Sequence, residues 1–95
     1  MQTIRQQIIE LLIAAEMSAK EISQTVGIRE KEVYEHLLHV ARSVNTQKKK
    51  LVINPSSCLG CGYVFKNRKR YTPPGRCPHC KGEHIQNPTY RINSL

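Results

Sequence analysis

Two Cys-x-x-Cys pairs constrain the fold of this chain more than any other feature of its sequence. Cys58 and Cys61 form the first pair, Cys77 and Cys80 form the second, and the 95 residues contain no other cysteine. Each short turn presents two sulfurs at one edge of a tetrahedron, and the intervening segment can return as a hairpin. The spacing therefore predicts one structural Zn²⁺ ion per chain, held by these four thiolates. A pair of disulfides is disfavoured, because we recognise no secretory signal.

Positive charge is concentrated in the second half of the chain. The formal net charge is +8 and the isoelectric point is near 9.6. Residues 1–41 contain four basic and six acidic side chains, whereas residues 42–95 contain eleven basic side chains and one acidic side chain. A balance this basic favours a polyanionic partner, nucleic acid first.

Two capping boxes predict the starts of two helices near the beginning of the chain. Thr3 with Gln6 begins the first helix, and Ser18 with Glu21 begins the second. The first helix has apolar residues at helical spacing: Ile4, Ile8, Leu11, Leu12 and Ala15. Gly27 is expected to end the second helix in the left-handed conformation.

A third and longer helix is predicted from about Glu30 to Asn45, with Arg29 at its N-cap. Its core-facing residues follow the helical period: Val33, Leu37, Val40, Ala41 and Val44. The short second helix, the turn at Gly27 and this third helix resemble a helix-turn-helix. The alternative is a three-helix bundle that binds no ligand.

Two short strands are predicted after the helices, at 51–54 and 89–93. If they pair, they form the two-stranded wing of a winged helix, and the cysteine-containing segment 56–87 is an insertion at the wing. The predicted fold class is therefore α+β. Its two parts are a winged helix-turn-helix at 1–55, with the wing completed by 88–95, and a zinc ribbon at 56–87. Inside the ribbon, Tyr63–Phe65 and a segment near His84–Gln86 are expected to supply small strands.

With these features the chain resembles the archaeal-type predicted transcriptional regulators, in which a winged helix-turn-helix is fused to a zinc ribbon with rubredoxin-like knuckles. The resemblance rests on the helical residues 4–45, on the first strand, and on the knuckles at 58–65 and 77–80. It covers nearly the whole chain. It implies double-stranded DNA as the partner and transcription control as the function.

Residues that could contact nucleic acid lie on the third helix and in the basic runs. They are Arg29, Lys31, Tyr34, Arg42, Lys48, Lys49, Lys50, Lys66, Arg68, Lys69 and Arg70. The start of the third helix also carries Glu30, Glu32 and Glu35, which would repel phosphates. Stabilisation of the helix N-terminus through its dipole explains the presence of Glu30 and Glu32 better than contact with DNA bases does. We therefore expect any affinity for DNA to come mainly from the basic half.

Two other functions stay open at this point. One is a zinc-ribbon adaptor that binds RNA or protein, and the other is an electron carrier that binds iron as rubredoxin does. Enzyme activity is not expected, since no nucleophile and base pair is recognisable and a four-thiolate site has no open coordination position.

The remaining expectations concern location and partners. The longest apolar run, Ile8 to Ala15, is too short to span a bilayer, so we expect a cytoplasmic protein without a membrane partner. No small-molecule substrate is evident from the sequence. Homodimer formation stays open.

Overall fold

The structure is a computed structural model that describes residues 2–66, 68 and 70–94. In this part of the chain, three α-helices and five β-strands form a mixed α+β architecture. In chain order the elements are α1 (Ile4–Ala14), β1 (Met17–Ser18), α2 (Ala19–Val26), α3 (Glu30–Asn45), β2 (Lys49–Asn54), β3 (Ser57–Cys58), β4 (Ile85–Gln86) and β5 (Thr89–Ser94). None of these three helices is long and apolar enough to cross a membrane.

Both capping boxes are present. The Gln6 N–H donates to the Thr3 hydroxyl at 3.2 Å, and the Thr3 N–H donates to the Gln6 side chain at 3.1 Å. The same reciprocal bonds join Ser18 and Glu21 at the start of α2. These bonds satisfy N–H groups that have no partner within the helix. Ala15 was predicted to continue the apolar spacing of the first helix, but it is the exposed C-cap of α1 in an extended conformation.

The third helix has the predicted bounds and the predicted core face. Four of its residues are completely buried: Val33, Leu37, Val40 and Val44. Ala41 is half-buried and packs against the same core. Arg29 is the N-cap and makes no side-chain cap hydrogen bond. Packing of one apolar face, rather than an N-cap side chain, therefore fixes this helix.

An antiparallel sheet in the order β1-β5-β2 follows the helices. β2 and β5 pair along their whole length, with Leu51 opposite Ile92, which confirms the predicted pairing of these strands. The sequence pattern did not predict β1, in which Met17 and Ser18 pair with the start of β5 and add a third strand to the sheet. A two-residue strand is too short to show the alternation that identifies a strand in a sequence.

The helices and the sheet share one hydrophobic core. Its buried members are Ile8, Leu12, Ala19, Ile22, Val33, Leu37, Val40, Val44, Leu51, Tyr90 and Ile92. Tyr90 is the largest of the fully buried side chains, and its hydroxyl donates a hydrogen bond to the backbone carbonyl of Tyr71. The end of the chain thus completes the core that the helices begin.

The zinc-ribbon segment lies between β2 and β5. β3 pairs with β4, which confirms the strand expected near His84–Gln86. The pairing expected at Tyr63–Phe65 is present only as one antiparallel bridge, between Val64 and Ser57, and not as a strand. The two bonds of that bridge run from the Cys58 N–H to the Tyr63 carbonyl and from the Phe65 N–H to the Ser56 carbonyl. The boundaries proposed for the ribbon at residues 56 and 87 stay a prediction.

Candidate metal centre and basic surface

The first knuckle is a tight turn closed by two backbone hydrogen bonds. The Cys58 N–H donates to the Tyr63 carbonyl at 2.7 Å, and the Gly62 N–H donates to the Cys58 carbonyl at 2.9 Å. Gly62 has a left-handed backbone with φ of 81°, a conformation that glycine adopts without steric cost. This turn directs the side chains of Cys58 and Cys61 to the same place.

The second knuckle repeats this pattern of bonds. The Cys77 N–H donates to the Gly82 carbonyl and the Lys81 N–H donates to the Cys77 carbonyl, both at 2.9 Å. A Cβ atom added to Gly82 would lie 3.2 Å from the sulfur of Cys80, a contact that would crowd the cysteine. Glycine at position 82 therefore leaves room for the sulfur.

The four cysteine sulfurs form one cluster. All four lie within 4.8 Å of one another. The Cys58 and Cys80 sulfurs are 3.5 Å apart, and the Cys61 and Cys77 sulfurs are 3.6 Å apart. Zinc–sulfur bonds of about 2.3 Å in a tetrahedron require sulfur separations of about 3.8 Å. The four free thiols of this zinc ribbon are therefore consistent with one Zn²⁺ ion.

The electrostatics of the cluster also fit a divalent cation. The backbone N–H of Cys61 donates towards the Cys58 sulfur and lowers the pKa of that thiol to about 7. The N–H of Tyr63 favours the Cys61 thiolate, yet burial and the neighbouring Cys77 sulfur raise the pKa of Cys61 to about 12. Sulfurs this close cannot all ionise without a positive charge among them. A bound dication supplies that charge.

Aromatic side chains connect the outer surfaces of the two knuckles. The rings of Tyr63 and Phe65 meet edge to face at 5.0 Å. The ring of His79 lies nearly parallel to that of Tyr63, with centroids 6.4 Å apart. His79 and His84 are exposed and are not part of the cysteine cluster. Leu59, at the tip of the first knuckle, is 66% exposed.

Hydrogen bonds hold one segment of the ribbon near the helices. The Tyr90 hydroxyl bonds the Tyr71 carbonyl, and the two rings pack with centroids 6.1 Å apart. The Arg68 guanidinium donates to the carbonyl and the hydroxyl of Thr72, at 3.0 and 3.3 Å. This segment and α3 line a common groove, formed by Tyr34, Glu35, Leu38, Arg70, Tyr71 and Thr72.

Three of the candidate nucleic-acid contacts come together at the C-terminal end of α3. Arg42, Lys49 and Lys50 line one shallow depression, together with Ala41, Asn45 and Leu51. Lys48 precedes β2 and is exposed, with a left-handed backbone at φ of 58°. The end of α3 and the start of β2 therefore form one basic surface.

The candidates at the start of α3 are less available for contact with nucleic acid, because two of them already bond to glutamates of the same helix. The Arg29 guanidinium donates to the Glu32 carboxylate at 3.0 Å, and Lys31 is exposed. Tyr34 is half-buried and its hydroxyl donates to Glu30 at 3.3 Å. Burial, with the Glu30 charge as a smaller cause, raises the pKa of Tyr34 to about 12, so this phenol stays neutral at pH 7.

The ribbon candidates that the structure describes differ in exposure. Lys66 and Arg70 are exposed, whereas Arg68 is half-buried against Thr72. Lys69 lies outside the described residues. Arg70 therefore lines the groove beside α3, and Arg68 stabilises the turn that follows it.

Sequence reasoning missed the groove itself. Glu35 and Leu38 were not candidate ligands, and neither were Tyr71 and Thr72. Leu38 was a recognisable signal, because it follows Leu37 on a helix and adjacent residues cannot both face the core. Leu38 is 57% exposed, whereas Leu37 is fully buried.

Comparisons with known proteins match both parts of the chain. The family model described as PF0610-like, N-terminal, matches residues 3–52, and the model described as PF0610 rubredoxin-like zinc beta-ribbon domain matches residues 55–95. The chain is similar to the solution NMR structure of protein PF0610 from Pyrococcus furiosus, with 30% sequence identity and a TM-score of 0.81. That similarity covers 97% of this chain and 90% of the other. A search of curated proteins found no match.

Proposed function

This chain belongs to the PF0610-like family, and we propose that it is a transcriptional regulator that binds duplex DNA and has a structural zinc ribbon. The single observation that carries the proposal is that basic side chains from two segments, the ribbon and β2, lie beside the same face of α3. The fold and the charge distribution support it independently, and each is argued in turn below.

The order of the elements supports a winged helix-turn-helix. Gly27, with φ of 82°, makes the turn between α2 and α3. β1 precedes α2, and β2 and β5 follow α3 as an antiparallel pair. In this interpretation β2 and β5 are the wing, and the ribbon is an insertion where they separate. α3 is then the recognition helix.

Basic side chains flank a single face of α3. That face consists of residues three or four apart: Tyr34, Leu38, Arg42 and Asn45. Arg70 of the ribbon borders the first half of this face, and Lys49 and Lys50 of β2 border the second half. Phosphate contacts from both sides would hold the helix face against a duplex.

The start of α3 contributes little to this affinity. Arg29 is neutralised by its ion pair with Glu32, and Glu35 adds a further negative charge. Counterion release must therefore come from the flanking residues. We assign this role first to Arg42, Lys49 and Lys50, and then to Arg70.

The metal has a structural role in this proposal. Four thiolates complete a tetrahedral shell, which leaves no position for a substrate or a reactive water. We therefore propose that the protein has no enzyme activity. The ribbon would instead position Arg70 and the segment around it beside α3.

A binding measurement over a range of salt concentrations tests the proposal. The zinc-loaded chain is incubated with a pool of random duplexes, and the retained DNA is sequenced. Three to five phosphate contacts predict a plot of log affinity against log salt concentration with a slope of about −3 to −5. Replacing Lys49 and Lys50 together with Gln should make that slope about 1 to 2 units shallower.

A control variant distinguishes the effect of this surface from the effect of a lower net charge. Arg5 and Arg76 are exposed and line neither depression beside α3, so replacing both with Gln removes the same charge elsewhere. The proposed surface requires the slope of this control to stay unchanged. Equal losses in the two double variants would show that binding follows net charge alone. Absence of duplex binding at low salt would refute the regulator proposal.

A zinc-ribbon adaptor that binds protein is the second candidate function. The observation that favours it is the exposed apolar surface of the first knuckle, formed by Leu59, Tyr63 and Val64. Exposed apolar residues that lie together often mark an interface. Absence of duplex binding, with a purified partner that loses affinity on Leu59→Ser, would support this function instead.

A further inference from the structure

The groove between α3 and the ribbon has the size of a small-molecule site. Its volume is about 350 Å³, within the range of roughly 300–1,000 Å³ that is usual for such sites. The lining is mainly apolar and includes the rings of Tyr34 and Tyr71. Leu38 of α3 lines the groove and leaves more than half of its surface exposed. An apolar ligand would cover that surface.

The walls of the groove are held in place by contacts outside it. The Tyr34 hydroxyl is bonded to Glu30, and the Tyr71 carbonyl is bonded by the buried Tyr90. Thr72 is fixed by two bonds from Arg68. A site formed in advance loses little conformational entropy when it binds a ligand.

Opposite charges stand on the two sides of the groove. Glu35 comes from the helix and Arg70 from the ribbon, and both are exposed. Among the described residues, neither is in an ion pair. Each wall has a second charge of the same sign nearby, because Glu30 accepts a hydrogen bond from the hydroxyl of Tyr34 and Arg68 donates to Thr72. The groove is therefore negative on its helix side and positive on its ribbon side.

We infer that this groove binds a free amino acid with a large apolar side chain. The α-carboxylate pairs with the Arg70 guanidinium, the α-ammonium pairs with the Glu35 carboxylate, and the side chain packs against the apolar lining. A purely apolar molecule would leave both charges without partners. A simple anion would face Glu35, and a simple cation would face Arg70.

This inference does not rest on DNA binding, although Tyr34, Leu38 and Arg70 also belong to the surface proposed to face DNA. It needs residues that are far apart in the sequence. Glu35 and Arg70 come together only because the ribbon folds back beside α3. For this reason the sequence alone indicates no small-molecule partner.

Titration of the zinc-loaded, ¹⁵N-labelled chain with L-phenylalanine tests the inference by NMR. Amide shifts should change at residues 34–38 and 70–72 and saturate with ligand concentration. Hydrocinnamate lacks the ammonium group and phenethylamine lacks the carboxylate. Each should bind about two- to fivefold more weakly, since each lacks one ion pair with an exposed side chain. No saturable shift with L-phenylalanine would overturn the inference, and so would equal affinity for the three compounds.

Two variants locate the site. Glu35→Gln and Arg70→Gln should each weaken L-phenylalanine binding by about two- to fivefold, because each removes one ion pair with an exposed side chain. Both positions are exposed, so the fold should be retained. Glu83→Gln and Arg76→Gln make the same changes elsewhere in the ribbon and should leave affinity unchanged. Unchanged affinity in both groove variants would show that the amino acid binds elsewhere, which overturns the inference.

Discussion

Lys81 occupies in the second knuckle the position that Gly62 occupies in the first. Both N–H groups donate to the carbonyl of the first cysteine of their pair, at 2.9 Å. Both residues also have left-handed backbones, with φ of 81° at Gly62 and 65° at Lys81. Only glycine adopts this conformation without a steric cost, so the second knuckle is strained where the first is not.

Lys81→Gly should therefore stabilise the ribbon. Relief of the left-handed strain is worth about 1 kcal/mol, after allowance for the greater freedom of glycine in the unfolded chain. Because ribbon folding and metal binding are coupled, zinc should bind about fivefold more tightly in a competition titration with a chelator. Lys66→Gly is the control, since Lys66 is not among the residues with positive φ, and it should not tighten zinc binding. Weaker binding in Lys81→Gly would contradict the prediction.

Removal of zinc should unfold the ribbon and leave most of the helical core. The ribbon contributes little to the shared apolar core, and a structural zinc site supplies on the order of 10 kcal/mol of folding energy. The β2 and β5 strands would then be joined by a disordered loop, whose closure cost grows only slowly with length. Titration with a chelator should first change the NMR signals of residues 57–86, with helical circular dichroism largely retained.

Two variants sharpen the zinc experiment. Cys77→Ser removes a ligand and should reproduce the effect of the chelator. His79→Ala changes an exposed residue between two ligands and should keep one zinc per chain in native mass spectrometry. Loss of the helices at the same chelator concentration as the ribbon would show that the two parts unfold as one unit.

Local interactions made the helices predictable. Each cap or turn at Thr3, Ser18 and Gly27 depends on residues within four positions, and each was found where the sequence indicates it. The metal ligands were predictable for the same reason, because each pair fits one short turn. The left-handed backbone of Lys81 could not be predicted in this way, because the knuckle around it imposes that conformation and the sequence does not indicate it.

Long-range contacts account for what the sequence could not indicate. β1 is a strand only because β5, more than seventy residues later, offers it a free edge. The groove beside α3 likewise depends on the bond from Tyr90 to Tyr71, which fixes where the ribbon lies. Neither pairing leaves a pattern within one segment, so periodicity cannot reveal it.

Neighbouring leucines on α3 test the assigned helix faces. Leu37 is fully buried and Leu38 is 57% exposed. Leu37→Ala should cost about 2–5 kcal/mol through lost burial and cavity formation, enough to unfold much of a domain this small. Leu38→Ala makes the same chemical change and should lower the free energy of unfolding far less. The melting temperatures of the two variants give the comparison, and similar values would show that the helix faces are misassigned.

Glu16 should make the stability of the sheet depend on pH. Its carboxylate accepts hydrogen bonds from the Thr89 hydroxyl at 2.6 Å and from the Asn54 side chain at 3.3 Å, at the end where the ribbon begins. These two bonds, the Thr89 bond first, hold the pKa of Glu16 below its ordinary value of 4.5. The ionised form is therefore favoured by folding, so its contribution is present above pH 4.5 and is lost as the pH falls through the lower folded pKa.

Glu16→Gln removes this titration and serves as the comparison. Melting temperatures are measured for both proteins from neutral to acid pH, with zinc content recorded at each pH. Acid also releases zinc from thiolates, but it does so in both proteins, so the informative quantity is the difference between their melting temperatures. That difference should be constant above pH 4.5 and shrink below it, because only the wild-type protein loses a carboxylate that accepts both bonds. A difference that stays constant to the lowest pH would show that Glu16 does not couple protonation to folding.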